Sequence, residues 1–147
     1  MDSSSIFTLL NDRYGETIAK TAVYPRHTGV PNQCQGKGTH SVANSEKVTF
    51  YLVIDENNVV ERCFFTASAS AIAIASSEAI CNLTEGIHLN MLHRVVTEDS
   101  INSFLDNEIP DSDYLGLLLA LEAFNNALLD SITVSREPWK RYYVRTK

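Results

Sequence analysis

The sequence predicts an α+β domain in which a small antiparallel sheet of two or three strands packs against helices. Residues 47–65 have the pattern of a β-hairpin, and helical periodicity flanks this stretch on both sides. Because the strand signals are grouped ahead of most helical ones, a parallel sheet built from βαβ units is disfavoured. The chain has 147 residues, 44% of them hydrophobic, which fits one domain with a single core.

The N-terminal part of the chain predicts one helix and then an ordered loop. Apolar residues recur at helical spacing over residues 6–23. Gly15 interrupts this pattern, since glycine inside a helix costs about 1 kcal/mol of stability relative to alanine, and we expect the helix to bend there if it bends at all. Residues 24–38, "YPRHTGVPNQCQGKG", include Pro25 and Pro31, and proline lacks the amide hydrogen that a helix needs. We therefore expect this segment to be a loop.

The hairpin is predicted from two runs of β-branched and aromatic residues. In "KVTFYLVIDENNVVERCFF" these runs flank "DENN", whose Asp and Asn residues tolerate turn geometry. Residues 39–45, "THSVANS", predict a weaker third strand ahead of the hairpin. Neither face of the hairpin is fully polar, so we expect helices to cover one side of the sheet.

The first helix after the hairpin is predicted to begin just beyond residue 70. Apolar and small residues then recur with the helical period, Ser68 or Ser70 is available as the N-cap, and Gly86 is a suitable end.

Three further helices are expected. Two short ones fall near residues 87–94 and 98–107, the second with Thr97 as its cap. The last runs from about residue 113 to 131 and has an apolar face at i, i+4, i+7 and i+11.

The charge pattern separates residues 1–131, the predicted domain, from residues 132–147, a basic and aromatic tail. From Arg136 onward the tail has five basic residues and one acid, a net charge of +4, which leaves −10 for the rest of a chain whose net charge is −6. Such a net charge argues against general binding to nucleic acid or to an anionic membrane. The tail either packs its rings and solvates its charges or binds an acidic partner.

The N-terminus and the cysteines indicate a reduced, cytoplasmic protein. The first residues contain neither a basic segment nor a long apolar run, so we expect no signal peptide and no membrane span. The cysteine count is odd and no two cysteines have CxxC spacing, which indicates neither a disulfide framework nor a zinc ribbon.

Several segments in order resemble one known family. "VYPRHTGV", the hairpin, the turn "ASAIAIASSEAI" and the closing helix are similar in order and spacing to the IscU/NifU/SufU family of iron-sulfur cluster scaffolds. The resemblance covers roughly residues 6–131. It implies a fold like that of the IscU/NifU N-terminal domain, and iron-sulfur cluster assembly as the ancestral task.

The resemblance also assigns the three ligand cysteines of the family to residues that are not cysteine. "ANSEK" places Asn44 at the first cysteine and Glu46 at a nearby aspartate, "ASAIAIASS" places Ser70 at the second, and either Leu117 or Leu115 takes the third. Thiolates hold the irons of such clusters. We therefore expect no catalytic residue and no cofactor at these positions, and we expect Ser70 to act as a helix cap.

A relocated site is the alternative. The side chains that could supply ligands for zinc or an iron-sulfur cluster are Cys34, His40, Glu46, Cys63 and Cys81. Cys34 lies in a loop that also contains His27, with His40 following, which is a weak signal for a Cys/His zinc site. A cysteine on an apolar face is more often a small hydrophobic residue.

Three functional hypotheses follow. The first is a non-catalytic binding or regulatory protein, not an enzyme, that engages a cysteine desulfurase or another iron-sulfur assembly protein, with residues 24–31 as one contact. The second is a metal or cluster binder with relocated ligands. The third is a fold reused for an unrelated interaction through the basic tail.

Overall fold

The α+β class is confirmed by the computed structural model, which describes residues 2–42 and 45–136. Three strands form one antiparallel sheet in the order β1-β2-β3, and helices pack on one face of it. The elements are α1 Ser3–Tyr14, α2 Glu16–Val23, β1 Gly36–Val42, β2 Glu46–Ile54, β3 Val60–Ser68, α3 Ala71–Thr84, α4 Leu92–Val95, α5 Glu98–Phe104 and α6 Tyr114–Arg136.

The N-terminal segment forms two helices, so the prediction of a single helix was wrong. Gly15 has a φ angle of 98°, which a helix does not accept and which glycine adopts at no steric cost. Its amide donates to the Asn11 carbonyl and ends α1, while its own carbonyl accepts from the amide of Ala19 and starts α2. The glycine is therefore a full break between two helices.

The hairpin is confirmed as β2 and β3, but β1 begins earlier than predicted. Gly36 pairs with Leu52 and Gly38 with Phe50, so the glycines assigned to a loop belong to a strand. Glycine is depleted in strands because it has no side chain to pack, which explains the error. At this position the missing side chain is what the fold requires.

Helix α6 lies directly against the backbone of β1. A Cβ atom built on Gly38 would lie 2.0 Å from the amide nitrogen of Ala127 and 2.6 Å from the carbonyl oxygen of Ala123. A Cβ on Gly36 would lie 2.7 Å from the carbonyl oxygen of Ala127. No side chain larger than hydrogen fits between the helix and the strand, so glycine sets the separation of the two elements.

The predicted caps and short helices are found with shifted ends. Ser70 caps α3, and Thr97 caps α5 in a capping box with Ser100. The helix expected at residues 87–94 is a 3-10 turn at Leu89–Met91 followed by α4, and α5 ends at Phe104 rather than at residue 107.

Helix α6 continues beyond the predicted end of the domain. It reaches Arg136, so the predicted boundary between residues 131 and 132 falls inside a helix. Residues 137–147, most of the predicted basic tail, lie outside the described residues.

The core lies between the sheet and helices α3 and α6. Phe50 of β2 contacts Phe124 of α6 edge to face, with ring centroids 5.7 Å apart, and lies 6.1 Å from the Phe65 ring of β3.

Helix α6 is long and apolar enough to cross a membrane by length and hydropathy alone, but the buried core helix of a soluble domain can have the same length and hydropathy. The cytoplasmic location stays a prediction.

Replacing Gly38 by alanine should destabilise the fold, because the new methyl group overlaps the backbone of α6. We expect Gly38→Ala to lower the free energy of unfolding by about 1–3 kcal/mol, measured by urea denaturation. The control is Ser41→Ala, an exposed position of the same strand, which should change it by less than about 0.5 kcal/mol. Equal stability of the two variants would contradict the close contact.

Candidate functional site

A cavity of about 450 Å³ opens where the starts of α3 and α6 meet the β1 and β2 strands. Its walls combine an imidazole, carboxylates and hydroxyl groups with several aliphatic side chains. The lining residues are Tyr14, His40, Val42, Glu46, Ser70, Ile72, Ser112, Asp113, Leu115, Gly116, Leu118, Leu119 and Glu122. Three candidate residues from the sequence, His40, Glu46 and Ser70, thus share one cavity.

Ser70 is held at the cavity wall by two hydrogen bonds. Its hydroxyl oxygen accepts from the amide of Ala73 at 3.3 Å, which confirms its role as the N-cap of α3. Its own amide donates to Glu46 Oε1 at 3.0 Å. The carboxylate of Glu46 therefore fastens the start of β2 to the start of α3, and the side chain of Ser70 remains exposed.

The start of α6 forms the opposite wall. Of the two alternatives for the third ligand position, Leu115 lines the cavity and is 76% exposed, whereas Leu117 is fully buried in the core. Between them, a Cβ on Gly116 would lie 2.9 Å from the amide nitrogen of Ala73. Helix α6 thus approaches α3 closely at this point. Of the two leucines, Leu115 is the one that shares the cavity with Ser70. Asn44, assigned to the first position, lies outside the described residues.

Helix α1 closes another side of the cavity through Asp113. The Tyr14 hydroxyl donates to Asp113 Oδ2 at 2.8 Å, and Arg13 Nη2 lies 3.3 Å from the same oxygen. Burial of the phenol, together with the hydrogen bond to the carboxylate, raises the pKa of Tyr14. The hydroxyl therefore stays protonated and keeps donating at neutral pH.

The three cysteines lie elsewhere, in the core. Their exposed fractions are 1% for Cys34 and 0% for Cys63 and Cys81, and no cysteine lines the cavity within the part of the chain that the structure describes. Cys81 of α3 and Cys63 of β3 are close enough for each thiol to influence the other. Burial raises the pKa of the Cys81 thiol well above its ordinary value, and Cys63 and nearby glutamates add to this effect. Such a thiol is neutral and a poor metal ligand.

The five candidate donors of the relocated site do not converge. His40 and Glu46 are at the cavity, while Cys63 and Cys81 meet between β3 and α3. Across residues 2–42 and 45–136, no group of three His, Cys, Asp or Glu side chains is arranged to hold a metal ion.

A partly buried ionic cluster, which sequence reasoning missed, joins the loop after α2 to α3. His27 Nδ1 lies 2.5 Å from Glu78 Oε2, and His27 Nε2 lies 3.1 Å from Glu85 Oε1. The backbone amides of Arg26 and His27 both donate to Glu78 Oε1 at 2.9 Å, and the amide of Cys63 donates to Glu85 Oε2 at 3.0 Å. The only sequence signal was an acidic residue, Glu78, within an otherwise small and apolar helix.

This cluster favours the charged form of His27. Burial of the imidazole opposes protonation, but the hydrogen bonds to Glu78 and Glu85 outweigh burial and raise the pKa of His27. Both ring nitrogens can donate at once only when the imidazole is protonated. The protonated His27 ring therefore holds the loop against α3. Both of its nitrogens are bonded to glutamates, so neither is open to bind zinc together with Cys34.

Comparison with known proteins gives one family and several structures of the same fold. The family model described as NifU-like N terminal domain matches residues 13–132. The structure is similar to a protein described as an iron-sulfur cluster assembly scaffold for the SUF system of Fervidobacterium islandicum AW-1, with a TM-score of 0.63, 18% identity, and coverage of 80% of this chain and 98% of that one. It is equally similar to the N-terminal part of a nitrogen-fixing NifU-like protein of Brucella abortus, with a TM-score of 0.63, 18% identity, and coverage of 85% and 98%. No curated protein matches the sequence.

The His27 cluster should make stability fall as pH rises. Because the pKa of His27 is raised above its unfolded value of 6.5, the folded state binds the extra proton more tightly, and its stabilisation is complete below pH 6.5. The stabilisation is lost as pH rises through the higher, folded-state pKa. We expect the free energy of unfolding of the wild type to decline over this range.

The matching experiment is urea denaturation at a series of pH values from slightly acidic to about pH 9. His27→Gln should remove this part of the pH dependence, whereas His93→Gln, which alters an exposed histidine, should retain it. The same pH dependence in His27→Gln and the wild type would contradict the role of the cluster.

Proposed function

Because this chain belongs to the family of NifU-like N-terminal domains, as its motifs predicted, we propose that it uses the scaffold fold for binding rather than for cluster assembly. Its partner is a component of the iron-sulfur assembly system, with a cysteine desulfurase as the first candidate. It performs no catalysis and acts as a binding or regulatory protein.

The observation that carries this proposal is the chemistry of the cavity wall. At the start of α3, a cysteine would have a lowered thiol pKa because the helix dipole favours a thiolate. Ser70 offers a neutral hydroxyl at this place, and Leu115 on the opposite wall offers no donor. Irons of iron-sulfur clusters are held by thiolates, so these two side chains do not supply what a cluster needs.

The shape of the cavity is maintained without such ligands. Glu46 bonds the amide of Ser70, and Asp113 accepts from Tyr14, so both walls are fixed by hydrogen bonds between distant parts of the chain. A cavity whose walls are held by hydrogen bonds of the chain itself supports a role in which the surface is recognised by a partner.

The mouth of the cavity has apolar side chains suited to a protein contact. Leu115 is 76% exposed and Val42 is 41% exposed, and both line the cavity. Exposed aliphatic groups beside a cavity are typical of interaction sites. The loop of residues 24–31 adds Tyr24, 53% exposed, and Val30, 52% exposed, as the contact predicted from the sequence.

The relocated-ligand hypothesis has weaker support. Cys63 and Cys81 would have to lose their protons inside the core, and Cys34 is also buried. The hypothesis that uses the basic tail rests on residues outside those described.

Anaerobic reconstitution with ferrous iron and sulfide should leave the wild-type protein colourless, without stoichiometric iron. We expect the triple variant Asn44→Cys, Ser70→Cys and Leu115→Cys to gain charge-transfer absorption and iron, because thiolates would then stand at all three positions. The matched control carries Leu117→Cys in place of Leu115→Cys and should stay colourless, since Leu117 is buried.

A coloured wild-type protein with stoichiometric iron would reject the proposal in favour of relocated ligands. In that case Cys34→Ser, Cys63→Ser and Cys81→Ser would identify which thiols hold the cluster.

Binding to the cysteine desulfurase of the same organism should depend on the cavity mouth. We expect immobilised desulfurase to retain the protein at low salt and Leu115→Asp to weaken binding at least about tenfold, or about 1.4 kcal/mol. Leu129→Asp is the control, because Leu129 lies on the same helix and is 64% exposed. Equal retention of both variants would place the contact elsewhere, and no retention of the wild type would reject this partner.

A further inference from the structure

Helix α1 buries none of its side chains completely. Of its 12 residues, only Phe7, Leu10 and Tyr14 are half-buried, and the others are exposed. The next helix, α2, has only 8 residues and yet buries Ile18 and Ala19 fully. An isolated helix of about 12 residues is marginally stable in water, so most helices depend on the burial of an apolar face. Helix α1 therefore has little of the stabilisation that holds α2 in place.

The contacts of α1 are concentrated at its last residue. Tyr14 is the apolar side chain of α1 that packs against the hydrophobic core. Phe7 contacts the ring of Tyr24 instead, with ring centroids 6.2 Å apart, and Tyr24 is itself 53% exposed. Ile6 and Leu9 are 39% and 56% exposed. Helix α1 is thus anchored at one end, while the rest of it packs on surface side chains.

This anchor is also a wall of the cavity. The Tyr14 hydroxyl donates to Asp113 Oδ2 at 2.8 Å, and Arg13 Nη2 lies 3.3 Å from the same oxygen. The Arg13 side chain is 63% exposed, so water competes for its ion pair and the attachment rests mainly on Tyr14. Tyr14 and Asp113 both line the cavity. The attachment of α1 and the closure of the cavity on this side therefore depend on the same hydrogen bond.

The chain on the other side of Gly15 is held separately. The Thr17 hydroxyl of α2 donates to Asp106 in the turn after α5. A Cβ atom on Gly15 would lie 2.6 Å from Glu108 Oε2, so the same turn packs against the junction of the two helices. The Gly15 amide ends the hydrogen bonding of α1 and its carbonyl begins that of α2. Because glycine accepts many φ and ψ angles, a rotation at Gly15 can move α1 without disturbing α2.

We propose that α1 is a hinged lid over the cavity, which turns at Gly15 and is latched by the hydrogen bond from Tyr14 to Asp113. When α1 moves away, the cavity loses the wall formed by Tyr14, and the Asp113 carboxylate loses its phenol partner. A segment with few buried contacts opens at a lower free energy than the whole domain unfolds. A partner that needs the open form binds with an affinity reduced by the open fraction, so the latch controls access to the cavity.

The lid is a property of the free protein and goes beyond the proposed function. Its tests use no partner, so a desulfurase that fails to bind would reject the proposed partner and leave the lid to be decided by the experiments below.

Native-state hydrogen exchange of the full chain tests whether α1 opens by itself. We expect the hydrogen-bonded amides of α1 to be at least about tenfold less protected than those in the middle of α3. Tyr14→Phe and Asp113→Asn each remove the latch and keep the shape of the side chain. Both should speed the exchange of α1 by at least about threefold and leave α3 unchanged.

The matched control is Asp111→Asn, which removes an exposed carboxylate from the same turn two residues earlier. Its α1 amides should exchange like those of the wild type. Equal protection of α1 and α3 in the wild type would overturn the proposal. Equal exchange of α1 in Asp113→Asn and Asp111→Asn would reject the latch.

Thiol labelling tests whether this opening uncovers the cavity. Ile72 lines the cavity and is 1% exposed, and the natural cysteines are no more exposed than this, so a maleimide would report on Ile72→Cys. Addition of Tyr14→Phe should speed the labelling at least about threefold, whereas addition of Asp111→Asn should not. Leu119→Cys, at a cavity position that is 2% exposed, is the second probe if Ile72→Cys fails to fold. Equal labelling rates with and without Tyr14→Phe would show that α1 is not a lid.

Discussion

The close contact between helix α6 and strand β1 is the constraint on which the rest of the structure depends. Gly38 and Gly36 let the backbone of the helix touch the backbone of the strand, so the distance between the two elements is set by main-chain atoms. A side chain can adopt another rotamer, but a backbone contact cannot be relaxed in this way. The position of α6 over the sheet is consequently fixed, and the Phe50 and Phe124 rings pack in the space that remains.

The same contact determines where the cavity forms. Once α6 is fixed on β1, its first turn must lie beside the start of α3, and Gly116 provides the second close approach there. Leu115 and Ser70 then face one cavity because of helix placement. Backbone packing and the hydrogen bond from the Ser70 amide to Glu46 are sufficient to account for the shape of this cavity.

The parts of this fold that could be predicted from the sequence are those encoded by local signals. The hairpin, the Ser70 and Thr97 caps and the periodicity of α6 each depend on residues close together in the chain, and ordered motifs supplied the family. The start of β1 could not be predicted, because Gly38 is in a strand only by virtue of a helix that follows about ninety residues later. Gly15 was ambiguous in the sequence because a glycine can either bend a helix or end it. Its φ angle of 98° shows that it ends α1, and a sequence does not reveal this angle.

The candidate sites divide along the same line. Ser70 and Glu46 were singled out by local motifs and share the cavity, whereas the His27 cluster joins a loop to a helix residue 51 positions later and has no local signature. This cluster also has consequences at a distance. By holding the loop against α3, it presents Thr28 to the edge of β3, where the backbone of His27 and Gly29 bonds to Phe65.

The segment that follows this edge contact brings Val30 beside Thr49 and Tyr51, on the side of the sheet opposite the helices. The half-buried His27 side chain, which is bonded to α3, therefore anchors a segment that continues to the opposite side of the sheet. Because the backbone is continuous from residue 27 to residue 30, the hydrogen bonds of this loop to Glu78 also limit where Val30 can lie. Helix α3 therefore has two separate structural roles: its middle and end hold the loop through Glu78 and Glu85, and its start forms a cavity wall through Ser70 and Glu46.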